Sequence, residues 1–320
     1  MTAEKPRDAS RRNFLKYGAG AAVVAAGAAA GYYGIAGMKE SDMTARNGKE
    51  DCSEGSVQVG DIEMSYRMCG DGYPLVMIMG YGSTMNLWEP GLVNAIASHF
   101  KVIVFDNRGM GNTGAGQREF TIEQFADDTD GLMNALGIQK AHVLGWSMGS
   151  LIAQELVLKH PEKVDKLILC AAYCDANMFP PSPDVIEKLR DTSGTPEEQG
   201  MRWISLLFPD EWLESHGDRV KEIFFRPMGS TPPEDIGKQA MAIGNWKGCC
   251  DRLPEIKNQT LLVAGADDIL VPPQNSQYMA GRIPRAQLTI LENGGHGVMF
   301  QSPDKSAQTV IRFLAYEPLP

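Results

Sequence analysis

The chain has 320 residues, of which 22% are charged and 43% hydrophobic, and carries a formal net charge of −10. Residues 1–36 hold five Lys or Arg and two Asp or Glu, so taking this +3 from the total leaves −13 on the remaining 284 residues. That acidity argues against nucleic acid and anionic membrane surfaces as partners, and the length suits one α/β domain with an insertion, or two domains at most.

Ser10-Arg11-Arg12-Asn13-Phe14-Leu15-Lys16 matches the twin-arginine export pattern S-R-R-x-F-L-K, and an uncharged Ala/Gly-rich run follows from Tyr17 to about Gly37. Residues 1–37 are therefore expected to be a signal read by the twin-arginine export machinery. Gly34-Ile35-Ala36 and Ala28-Ala29-Ala30 are small-residue cleavage candidates. The run is also about long enough to span a bilayer, so an uncleaved, outward-facing anchor is the alternative to a periplasmic or secreted protein. Residues 38–55 are polar and read as a linker.

Ser56 to Cys69 reads as two short strands around a Gly60-Asp61 turn. Leu75 to Met79 is a continuous apolar run of the kind a central parallel strand needs when both faces are covered. A helix over about 87–98, a strand over 102–105 and a helix over about 121–136 follow. The next strand, 141–144, runs into Gly145-Trp146-Ser147-Met148-Gly149 and a helix over 148–159, which His160-Pro161 stops. A sixth strand covers 167–170. Strands then cease until 260–264 and 287–291, with helices near 274–282 and 304–315.

Alternating strands and helices imply an α/β fold with a mostly parallel sheet and helices on both faces. Residues 56–174 and 251–320 form its expected core. The stretch 175–250 is too long for a plain loop and reads as an inserted helical cap.

The cysteines are Cys52, Cys69, Cys170, Cys174, Cys249 and Cys250. An exported protein can keep disulfides, and Cys52 and Cys69 flank the first hairpin and could pair; free buried thiols are the competing reading. With no C-x-x-C pair and no His beside these residues, no zinc site is expected.

G-x-S-x-G between a strand and a helix is the setting of a nucleophile elbow: a sharp turn lifts Ser147 off the sheet, and the Met148 amide faces the substrate at a helix start. The serine needs a base and the base an orienter. Of five histidines, His296 sits in a Gly-rich loop after the last strand, at the sheet edge where the elbow opens. Asp267 and Asp268 follow the seventh strand, and Asp268 is preferred from its spacing to Gly265. The chain order Ser147, Asp268, His296 is that of the elbow-type hydrolases.

In Asp106-Asn107-Arg108-Gly109-Met110-Gly111, the elbow 145–149, Gly265 to Pro272 and Gly295-His296-Gly297, taken in this order, the chain resembles α/β-hydrolase-fold proteins with a lid. These include esterases, carbon–carbon-bond hydrolases and cofactor-free haloperoxidases. The resemblance covers about residues 56–316 and implies Ser147, Asp268 and His296 as catalytic residues. It also implies the Tyr81 and Met148 amides as oxyanion donors, with no metal or organic cofactor. In such relatives the Asp106–Gly111 loop lies beside the site, although plain turn structure explains its residues as well. One departure is Met79, where relatives usually carry His before the glycine matched by Gly80.

Gly80, Trp146, Phe179, Trp203, Phe208 and Val298 are candidate substrate-pocket residues, with Arg202 and Arg226 as polar contacts. The expected activity is serine hydrolysis of a small or medium apolar carboxylic ester or thioester through an acyl-enzyme outside the cytoplasm. The same triad also serves carbon–carbon-bond hydrolysis or cofactor-free perhydrolysis. A non-catalytic ligand-binding protein on a hydrolase scaffold is the alternative of another class.

Overall fold

The computed structural model describes residues 52–224, 227 and 229–315. The twin-arginine segment, the linker as far as residue 51, and Phe225, Arg226 and Met228 lie outside the described residues.

Among the described residues eight strands form one sheet: β1 (Cys52–Val59), β2 (Ile62–Cys69), β3 (Pro74–Ile78), β4 (Lys101–Phe105), β5 (Ala141–Trp146), β6 (Val164–Cys170), β7 (Gln259–Gly265) and β8 (Ala286–Leu291). Their order is β1-β2-β4-β3-β5-β6-β7-β8. Only β2 pairs antiparallel, with β1 on one side and β4 on the other; the remaining pairs are parallel. The tight β1–β2 turn is made by Gly60 with φ +55° and Asp61, the glycine-first order such a hairpin accepts.

β1 begins four residues before the expected strand, inside the segment read as linker. Cys-Ser-Glu-Gly has no apolar pattern, because this edge strand is mostly exposed. Pairing decides it: Cys52 lies opposite Cys69 and is disulfide-bonded to it across the two strands.

Side chains alternate across the sheet. On β3, Leu75 and Met77, with Met79 just beyond the strand, enter one core, while Val76 and Ile78 enter the other. The first core is covered by α1 (Pro90–Ala97) and, after β8, by the C-terminal helix Pro303–Ala315; the second is covered by α2 (Ile122–Ala135) and α3 (Met148–Lys159). Continuous burial of β3 to β7 explains their unbroken apolar runs. Among the described residues, five α-helices lie between β6 and β7, α4 (Pro183–Arg190), α5 (Pro196–Leu207), α6 (Asp210–Ser215), α7 (Gly217–Phe224) and α8 (Pro233–Asn245), followed by a short 3-10 turn, Cys250–Glu255. A second disulfide, Cys174–Cys250, joins the two ends of this helical segment. Closing a loop over a separation of 76 residues removes unfolded-state entropy worth about 4 kcal/mol in the chain-entropy view. After β7 come α9 (Gln274–Ala280), α10 (Val298–Gln301) and α11 (Pro303–Ala315).

The loop after β4 is held by buried charge. The Arg108 side chain is fully buried and donates to both carboxylate oxygens of Asp128 and to Asp61. Asp61 also accepts from the Gln117 and Arg118 amides, and the Arg108 guanidinium holds its carboxyl well below the usual range. Asp106 accepts from the Met85 and Asn112 amides. These residues hold the loop after β4 against the segment that follows β3.

Arg108→Met is expected to lower stability by about 3–5 kcal/mol in chemical denaturation, because Asp128 stays buried without its partner. A second expectation concerns pH. His142 lies on β5 under the rings of Tyr73 and Phe100, and burial pushes its imidazole down to about 4 from 6.5 against the opposing pull of Asp165. The unfolded chain therefore binds a proton between these values that the folded chain does not, and stability falls as pH drops from 6.5 to about 4. Melting temperatures measured across that range should decline less in His142→Gln than in the wild type.

Candidate active site

β5 is central, so the residue after it emerges at the carboxyl edge of the sheet, between the loops that follow β3 and β6. That residue is Ser147, with φ +55° and ψ −121°, a conformation non-glycine residues rarely adopt. The flanking glycines make the turn possible. A Cβ on Gly145 would lie 2.2 Å from the Gly149 carbonyl oxygen, and one on Gly149 would lie 2.1 Å from that of Ile78. α3 thus starts in backbone contact with the end of β3.

The loops after β7 and β8 meet in the same way, since a Cβ on Gly265 would lie 2.2 Å from the Gly294 carbonyl oxygen. This contact brings Asp268 to His296. Ser147 Oγ lies 2.9 Å from His296 Nε2, and His296 Nδ1 lies 2.9 Å from Asp268 Oδ2. The other carboxylate oxygen of Asp268 accepts from the Leu270 and Val271 amides. Asp268 and His296 are each 3% exposed, whereas Asp267 faces solvent. An ionised Asp268 fixes the imidazole with its proton on Nδ1 and leaves Nε2 to accept from the serine.

The Tyr81 and Met148 amides make no hydrogen bond among the described residues. Both residues line the cavity that contains Ser147 and His296. Met148 is the first residue of α3, where an unpaired amide and the helix dipole both favour negative charge. The Gly80 backbone passes close to Ser147: a Cβ there would lie 2.9 Å from the Trp146 ring and 3.3 Å from the Ser147 Cβ.

The cavity measures about 470 Å³. Tyr81, Trp146 and Leu270 of the core line it, as do Trp203, Leu207, Phe224, Ile236 and Ile243 of the helical segment. Its wall is mainly apolar. Arg190, on α4, is the one permanently charged lining residue among those described, and no periodicity in its surroundings marked it in the sequence.

Four pocket candidates need correction, because Gly80, Phe179, Phe208 and Val298 do not line the cavity. Gly80 instead permits the close approach just described. Phe179 stacks edge-on against Tyr278, and its carbonyl accepts from Asn275. Phe208 packs on Trp212 and against Gly297, where a Cβ would lie 2.5 Å from its ring. Next to it, the Gly297 amide donates to the Leu207 carbonyl. Phe208 therefore supports the His296 loop. Val298 is buried beneath Gly294. Trp146 both lines the cavity and donates from its indole to the His296 carbonyl at 3.0 Å. Arg202 is held by Asp191 and Ser193 and lies outside the cavity lining, and Arg226 is outside the described residues. Among the described residues no cluster of three or more His, Cys, Asp or Glu is placed to hold a metal ion.

Residues 73–303 match the α/β hydrolase fold family. RutD of Pseudomonas savastanoi pv. phaseolicola, named as a proposed carbamate hydrolase, is 30% identical over 75% of this chain and 93% of its own length. A thermophilic esterase from Thermogutta terrifontis superposes with a TM-score of 0.71 at 26% identity, over 82% of this chain and 98% of that one. The enol-lactonase of Burkholderia xenovorans LB400 shares the fold with a TM-score of 0.70 at 24% identity, over 82% of this chain and all of that one. With this sheet order, this elbow and a family match spanning most of its length, the chain belongs to the α/β hydrolase fold family.

Proposed function

We propose that the protein is a serine hydrolase that cleaves a small or medium apolar carboxylic ester or thioester through an acyl-enzyme. The observation that carries this reading is the Ser147–His296–Asp268 hydrogen-bond chain beside two unpartnered amides in an apolar cavity.

Ser147 Oγ adds to the acyl carbon while its proton passes to His296 Nε2. The carbonyl oxygen becomes an oxyanion between the Tyr81 and Met148 amides. Each such preorganised donor contributes about 2.7–4 kcal/mol to the transition state where it has been removed in serine hydrolases. The bond to the leaving alcohol or thiol then breaks, and the leaving group takes the proton from Nε2. Water adds to the acyl carbon and gives Nε2 a proton. That proton returns to Ser147 as the acid departs. Asp268 stabilises the imidazolium in both steps. The helical segment 175–250 serves as a cap, and its apolar side chains select the acyl or alcohol group.

The likeness to RutD favours a second reading with the same acyl-enzyme and a nitrogen leaving group, namely hydrolysis of a small carbamate. The cavity's apolar wall favours the ester.

The site of action is proposed to lie outside the cytoplasm. The twin-arginine pattern supports this, as do the two disulfides, which persist in oxidising compartments.

Protein lacking residues 1–36 should gain one fluorophosphonate adduct by intact mass, and Ser147→Ala none, with esterase activity down at least about a thousandfold. An unlabelled, folded wild type would instead support a ligand-binding role on this scaffold. On p-nitrophenyl esters, kcat/KM should rise from acetate to medium acyl chains. Trp203→Ala should shift the optimum to longer chains by enlarging the cavity, whereas a preference for small carbamates over every ester would favour the second reading.

A further inference from the structure

The oxyanion donor on the β3 side lies in a four-residue run anchored at both ends. At one end the Met79 carbonyl accepts from Asn107 Nδ2 at 3.1 Å. At the other, the Gly82 amide donates to Gln239 Oε1 at 2.9 Å. Gly80 and Tyr81 lie between these anchors, and Tyr81 carries the unpartnered amide. The Tyr81–Gly82 peptide is gripped at its other end too, since Ser83 Oγ lies 3.1 Å from the Tyr81 carbonyl oxygen.

Asn107 belongs to the core of the fold, but Gln239 sits on α8, in the helical segment, 157 residues from Gly82. Its side chain is fully buried. Its orientation is dictated by the Gly82 donor, because only the carbonyl oxygen of the amide group can accept. Its Nε2 makes no hydrogen bond among the described residues, so the contact with Gly82 is what holds the amide in this pose. Gly82 has φ +64°, and a glycine in that region rotates its preceding peptide at low cost unless the peptide is held.

We infer that Gln239 is a positioning residue: α8 holds the Tyr81 oxyanion donor in place through the Gln239 carbonyl on the Gly82 amide, so the helical segment is a structural part of the oxyanion hole. This rests on the serine-hydrolase reading above. It assigns α8 a role beyond lining the cavity, because displacing the helix releases the peptide next to the donor. The role of Met79 follows as well. A methionine has no side-chain donor for this loop, and the run is anchored instead by its backbone carbonyl at one end and by the Gly82 amide at the other.

The test compares wild type with Gln239→Met, which keeps the volume but has no carbonyl acceptor, and Gln239→Glu, which keeps an acceptor. Gln239→Ala, which cannot overpack, replaces the Met variant if that protein does not fold. The Met variant should lose about tenfold or more in kcat on a p-nitrophenyl ester, with KM within about threefold of wild type, and the Glu variant should recover most of the loss. An alkyl trifluoromethyl ketone, whose carbonyl carbon takes up Ser147 Oγ to leave an oxyanion while the serine proton moves to His296, should bind the Met variant about tenfold more weakly. A straight-chain alcohol of the same length needs no oxyanion hole and should bind both proteins alike. Wild-type kcat and ketone affinity in folded Gln239→Met, or equal loss of ketone and alcohol binding, would overturn the proposal while leaving the serine-hydrolase reading intact. Failure of the wild type itself to take a fluorophosphonate at Ser147 would remove both.

Discussion

The backbone contact between the start of α3 and the end of β3 is the constraint on which the site depends. Only where residues 145 and 149 lack side chains can α3 reach the Ile78 carbonyl, and only then does Ser147 stand off the sheet with φ +55°. That strain persists because the parallel strands on both sides of β5 and the buried α3 over-determine the turn. One geometric demand thus places Ser147, presents an unpaired helix-start amide and brings the β3 loop alongside.

The other parts of the site are delivered by similar close approaches. Gly265 lets the β7 loop meet the β8 loop, which carries Asp268 to His296. Gly80 lets the β3 loop pass against Trp146 and Ser147. Side chains then fix what the glycines permit. The Trp146 indole and Phe208 brace the His296 loop, while Asn107 and Gln239 brace the run that carries Tyr81. Rigid positioning of this kind keeps the Tyr81 and Met148 amides at the cavity, so that in the proposed reaction they meet a developing oxyanion without reorganising.

Charge contributes mainly to architecture. The buried Arg108 group closes the loop after β4, and its carboxylate partners are engaged with it and, besides, Asp128 with the Gln124 side chain and Asp61 with the Gln117 and Arg118 amides. The cavity itself carries little charge, and the disulfide Cys174–Cys250 pins the ends of the helical segment that covers it. Residues well separated in sequence therefore share one apolar chamber.

The nucleophile elbow, the Gly-rich histidine loop and the alternation of apolar runs with helices were legible in the sequence because each is a local signal: close backbone approach demands glycine nearby, and burial on two faces demands an unbroken apolar run. The preference for Asp268 over Asp267 came from spacing, and the geometry adds that Asp268 is buried against His296 while Asp267 faces solvent. Aromatic content could not say which rings face the cavity. Phe179 and Phe208 turn into packing contacts, while Trp203 turns into the chamber, because the direction of each ring depends on how its segment docks on the core. Nor could composition reveal that Cys52 begins a strand, that Cys174 bonds Cys250, or that a glutamine on α8 anchors Gly82. By itself, then, the sequence determined the fold class and the local turns that carry Ser147 and His296, because each turn's glycine demands are met within a few residues. The anchors of the Met79–Gly82 run, the meeting of Ser147 with His296 and Asp268, the cavity wall and the Cys174–Cys250 disulfide were decided only by tertiary structure, because they join segments up to 157 residues apart whose contact leaves no local pattern.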